Sequence, residues 1–70
     1  MFALGQEITD ILLSHRILFG RTIVNHSMIT VEIPFKTGLL EKLEDIFSEY
    51  NFKIHYCGYK NQYLLKVKNE

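Results

Sequence analysis

Met28-Ile29-Thr30-Val31-Glu32-Ile33-Pro34 is the stretch that decides how this chain folds. Successive side chains of an extended strand point to opposite faces, so Ile29, Val31 and Ile33 share one face while Thr30 and Glu32 share the other. The segment therefore reads as a strand with one face on a core and one face toward water. Pro34 stops it, because proline cannot donate to a ladder.

On the N-terminal side, Asn25-His26-Ser27 supplies turn chemistry, and Ile17 to Val24 reads as a preceding strand with Gly20 a candidate bulge. Further back, Ile8, Ile11, Leu12 and His15 recur at i, i+3, i+4 and i+7. That spacing predicts a helix from about Gly5 to His15 with those four on its inner face. Glu7 and Asp10 lie near its start and Arg16 at its end, each complementing the helix dipole.

On the C-terminal side, Thr37 reads as the N-cap of a second helix. Its buried stripe is Leu39, Leu43, Ile46, Phe47 and Tyr50, with Leu40 on the flank. Glu41, Glu44, Asp45, Ser48 and Glu49 face water, and Asn51 reads as the left-handed residue that closes the helix. Phe52 to Tyr59 follows as a third strand, Lys60-Asn61-Gln62 as a tight connection, and Tyr63 to Lys68 as a fourth strand.

The two halves match at an offset of 35 residues: Ile8 lies over Leu43, Ile11 over Ile46, Leu12 over Phe47, His15 over Tyr50, Ile17 over Phe52 and Phe19 over Ile54. The match is of pattern and not of identity. One helix and two strands cannot bury an apolar face alone, but two such units can share a four-stranded sheet with both helices on one side. The expected fold is thus α+β, in the order αββαββ, which a circularly permuted ferredoxin-like topology would have. Ile29, Val31, Ile33, Leu65 and Val67 are expected at the buried centre of the sheet. A swapped dimer of the same units is the competing arrangement.

Seventy residues make one domain, 1–70, and a domain this short has a thin margin of stability. Small scaffolds compensate with disulfides, metals or self-association. A lone cysteine, Cys57, rules out an internal disulfide, which points to a reducing compartment and leaves a homodimer as the compensation. Eight basic residues balance eight acidic ones, against the basic excess usual in DNA-binding domains. Met1-Phe2-Ala3-Leu4-Gly5-Gln6-Glu7 lacks the basic start of a secretion signal, and no apolar run is long enough to cross a bilayer. The expected location is the cytoplasm, with no membrane partner.

Ile29 to Leu40, followed by a helix ending at Tyr50-Asn51-Phe52-Lys53-Ile54, resembles the opening of an ACT domain. Those regulatory modules begin with an apolar strand, a short loop with a glycine before a leucine, a helix and a second strand. Here Thr37 stands where a proline is usual before the glycine. The resemblance implies a small-ligand sensor in which Thr37, Gly38 and Leu39 are the ligand-binding loop at a dimer interface.

Catalysis finds little support. His15 is expected on the packed side of its helix and His26 in a turn. His55 and Cys57 share one strand face, but no four-ligand metal set, nucleophile elbow or phosphate-binding glycine pattern accompanies them. The expectation is a protein that is not an enzyme, with no metal and no cofactor. Two surfaces stand out for partner binding. One is the acidic helix face Glu41, Glu44, Asp45 and Glu49. The other is the sheet face away from the helices, where Lys53, His55, Lys66 and Lys68 outnumber Glu32. Ferredoxin-like sheets bind RNA when open-face aromatics stack on bases, whereas Phe52, Tyr56 and Tyr63 alternate toward the core. The leading expectation is a binding or regulatory module acting through a protein partner as a dimer, small phage or mobile-element inhibitors being one such class. A nucleic-acid binder using the lysine-bearing face ranks second, and the ACT-like sensor third.

Overall fold

The computed structural model describes residues 4–68. The reading of the first residues as free of a secretion signal rests in part on Met1, Phe2 and Ala3, which lie outside them. The elements are α1 (Leu4–Ser14), β1 (Thr22–Val24), β2 (Met28–Pro34), α2 (Leu39–Ile46), β3 (Phe52–Cys57) and β4 (Gln62–Lys68). The fold is α+β, with a four-stranded sheet of order β1-β2-β4-β3 and antiparallel pairs throughout. The second strand of each half lies at the centre and the first strand of each half at an edge.

Alternation builds the core as the sequence predicts. Ile29, Val31 and Ile33 of β2 stand opposite Val67, Leu65 and Tyr63 of β4, and all six are buried. Ile8 and Leu12 of α1, Leu39 and Leu43 of α2, and Phe47 join that same cluster. Both helices therefore cover one face of the sheet, and the other face is left open. At the offset of 35, Ile8 and Leu43 are both fully buried, as are Leu12 and Phe47, while Ile11 and Ile46 both pack at the margin.

Several local expectations give way to backbone chemistry. The first strand begins at Thr22, not Ile17. Gly20 N–H donates to the Glu32 carbonyl (2.6 Å), and Glu32 N–H donates to the Arg21 carbonyl (2.9 Å). Two residues thus face one, the geometry of a β-bulge, and the side-chain alternation changes phase across it. Ile17 and Phe19 pack on the core before the bulge, and Thr22 stands opposite Val31 after it. α1 stops at Ser14 because Arg16 adopts the left-handed conformation (φ 59°), with Arg16 N–H on the Leu13 carbonyl and Ile17 N–H on the Leu12 carbonyl. This paired closure leaves His15 beyond the last helical turn and exposed, not on the packed face.

At α2 the N-cap is Gly38 and not Thr37, and no side chain caps the helix. Lys36 to Leu39 form a turn closed by Leu39 N–H on the Lys36 carbonyl (3.0 Å). Gly38 at φ 81°, ψ −2° occupies its third position, where a type II turn demands a left-handed residue. Asn51 is not the left-handed closure of α2; the described non-glycine residues with positive φ are Arg16 and Asn61. Asn61 instead ends a four-residue connection, Gly58 to Asn61, between β3 and β4, so the third strand stops at Cys57.

Tyr56 is the remaining departure. It stands opposite Tyr63 on the helix side of the sheet yet is 54% exposed. Its ring packs edge-on to Tyr63 (5.6 Å) and Phe35 (5.7 Å), and its hydroxyl donates to Asn61 Oδ1 (2.9 Å).

Candidate functional site

The loop that makes Gly38 left-handed also walls a pocket of about 290 Å³. One side is the segment that leaves α1, Arg16 to Leu18; the other is the β2–α2 connection, Pro34 to Leu39, with Lys42 from the first turn of α2. Thr37, Gly38 and Leu39, the loop singled out in the sequence, all line it. The structure adds residues that no local pattern pointed to. The left-handed turn at Arg16 brings Arg16 and Leu18 across from the loop, where Lys36 and Lys42 complete a set of three cations. Lys42 Nζ reaches the His15 carbonyl at 3.4 Å, which leaves donors of the ammonium group for other partners. Among the described residues no acidic one lines this pocket.

The mouth is apolar. Leu18 is 80% exposed and Phe35 44% exposed, and Phe35 connects the pocket to the aromatic cluster with Tyr63 and Tyr56. Singly exposed apolar side chains are ordinary on protein surfaces, but several gathered at one concavity mark an interaction site.

The lysine-bearing face behaves differently. Lys53 stands directly opposite Lys66 across the β3–β4 pair, and Lys68 lies one open-face position further along β4. The three line a smaller depression, about 120 Å³, with Met28, Asn51 and Phe52. His55 is exposed opposite Leu64, outside that depression. The face carries half-buried Thr30, Glu32 and Leu64 but no exposed aromatic ring of β3 or β4, since Phe52, Tyr56 and Tyr63 lie on the other side. Glu41, Glu44, Asp45 and Glu49 are exposed along α2 and the turn after it, apart from both concavities.

One titrating group is displaced. α2 ends at Ile46, so Tyr50, expected on its buried stripe, lies instead in the turn that follows, where it donates its phenol hydrogen bond to the Glu7 carboxylate near the start of α1. That bond, then partial burial, then the charges of Glu7 and Glu49 push the Tyr50 phenol up to about 12. The bond favours the protonated phenol, so it ties the turn after α2 to α1 and offers no base for chemistry. Among the described residues no group of three or more His, Cys, Asp and Glu is placed to hold a metal ion. No described helix is long and apolar enough to cross a membrane.

No protein-family model matches the chain, and no curated protein or solved structure matches it either.

Proposed function

We propose that this chain is a non-enzymatic binding module that works by holding a partner protein, as a dimer, in the cytoplasm. The observation that carries the reading is the pocket between the exit of α1 and the β2–α2 loop, with three cations and no acid among the described residues of its lining and Leu18 and Phe35 exposed at its mouth. Apolar side chains held out of the core in a domain this small have a use when another surface covers them. The dimer belongs to the same proposal. β3 is a regular six-residue edge to which a second copy can add, whereas β1 is three residues long and bulged. The strand order β1-β2-β4-β3 also supports a relation to ferredoxin-like sheets by circular permutation.

The test is capture of partners by the tagged chain beside its Leu18→Asp and Phe35→Asp variants, each checked for an unchanged circular dichroism spectrum. A dominant protein retained by the parent and lost by both variants is the expected result. An identical set of captured proteins for all three would sink the reading.

Two other readings have observations of their own. Thr37, Gly38 and Leu39 do line the pocket, which favours an ACT-like sensor; amino-acid-dependent thermal stabilisation, abolished by Gly38→Ala, would select it. Lys53, Lys66 and Lys68 share a depression, which favours nucleic acid; RNA retention that falls steeply with salt and is lost when the three are replaced would select that.

A further inference from the structure

We infer that the pocket receives the C-terminus of another protein chain, one ending in an apolar residue preceded by acidic ones. This rests on the partner-binding reading above and names the part of the partner that enters. Size argues first. At about 290 Å³ the pocket is at the lower limit of small-ligand sites, which run from roughly 300 to 1,000 Å³. It holds one side chain and its terminal carboxylate, not the face of a helix.

Charge argues second. Arg16, Lys36 and Lys42 surround that volume, and Glu41, in the same helical turn as Lys42, is not part of the lining. Where the side chain in the pocket is apolar, an internal residue brings only the neutral amides of its backbone to such a place. A chain end delivers a full negative charge within one residue of an apolar side chain, and acidic residues just upstream match whichever of the three cations that carboxylate leaves unpaired.

The walls argue third. Ile17 and Leu39 are buried and fixed by the core, so the apolar floor is set before any partner arrives, and Leu18 and Phe35 stand exposed beside it where an incoming side chain would pack. A floor already in place limits the ordering cost of binding.

The experiment uses the full-length chain, isotopically labelled, titrated with two five-residue peptides ending in Asp-Glu-Leu, one with a free C-terminal carboxylate and one amidated. Free leucine is the third probe. The expected result is that the free-carboxylate peptide shifts the amides of Ile17, Gly38 and Leu39, and that amidation weakens binding about tenfold or more, the scale of a hydrogen-bonded charge. Lys36→Gln and Lys42→Gln should each weaken the free peptide several-fold and bring it toward the amidated one. Equal binding of the two peptides at the same amides overturns capture of a chain end while leaving the pocket a docking site. Absence of shifts at those amides with every probe overturns the inference, and capture lost in the Leu18→Asp variant would then still uphold the partner-binding reading. Leucine binding as tightly as the free peptide also overturns it, in favour of a small-ligand site.

Discussion

The first half of the chain, through β2, and the second half, from α2 on, bury the same positions in their helices but fall out of step in their second strands, where buried Ile29, Val31 and Ile33 lie over open-face Leu64, Lys66 and Lys68. Ile8 and Leu43, and Leu12 and Phe47, are equivalent at the offset of 35 and all are fully buried. The contacts between the halves also repeat: Tyr50 bonds to Glu7, and the equivalent pair, His15 and Lys42, meets through the His15 carbonyl. Two of the concavities are equivalents too. Arg16, Ile17 and Leu18 wall the candidate pocket, and Asn51, Phe52 and Lys53 wall the smaller depression. What enlarges the first is the β2–α2 loop; its counterpart would begin at residue 69, outside the described residues. Core positions are constrained by close packing, whereas turns and edges are free to diverge, and the candidate site has formed at the divergence.

If the halves share one core, equivalent truncations must fail alike. Phe47→Ala should cost about 3–5 kcal/mol and Leu12→Ala about 2–5 kcal/mol. Either is comparable to the whole stability of a domain this size, so both proteins should be largely unfolded by circular dichroism and urea titration. A folded, cooperative Leu12→Ala protein beside an unfolded Phe47→Ala protein would break the equivalence.

The next effect concerns the two left-handed residues that frame the pocket. Gly38→Ala forces a β-carbon into φ 81° and should cost about 1–2 kcal/mol, although open space surrounds the position. Arg16→Gly relieves the same penalty at φ 59° and should raise stability by up to about 1 kcal/mol after the entropy of glycine is counted, read as a higher melting midpoint. Opposite signs would show that conformation, not contact, sets both sites.

How much of this could be read from the residues follows from the same contrast. The period-2 run from Ile29 to Ile33 and the 3.6-period stripe around Leu43 name the core, because each burial is a local periodicity. The turns were less legible. Arg16 carries no signal for a left-handed conformation, since glycine or asparagine is the usual closure and Asn51 was the natural candidate. Gly38 was visible as a loop residue, but Arg16, Leu18, Lys36 and Lys42 come together only through the tertiary fold. Tyr56 shows the limit of alternation: parity gives its face, but whether anything covers that face is decided by the tertiary fold.

Tyr50→Phe tests the repeated contact between halves. Loss of the bond to Glu7 should cost about 1 kcal/mol, since both ends are reached by solvent. Its pH dependence has a definite sign. The folded phenol titrates near 12 and the free one near 10, so the contribution is complete below pH 10 and disappears as pH rises toward 12. The difference in stability between parent and Tyr50→Phe should therefore be constant through neutral pH and vanish over that alkaline window. A difference that persists above it would assign the effect to packing.

The smallest effect separates the two concavities. Lys53 and Lys66 are directly opposed across β3 and β4, and like charges so placed destabilise a sheet, whereas opposite charges contribute about 0.2–1 kcal/mol. Lys53→Glu should therefore raise stability by a few tenths of a kcal/mol, and the gain should shrink as salt is raised past 0.1 M, where screening acts over about 10 Å. The equivalent change in the first half, Leu18→Glu, also sets a carboxylate among cations and should show a gain of similar size and salt dependence. Parallel gains would mean that both concavities favour an anion and that only the apolar mouth distinguishes them. A gain at residue 53 with none at residue 18 would mean that the cations of the larger pocket are too far from its mouth to act on a charge there, and would count against the entry of a carboxylate past Leu18.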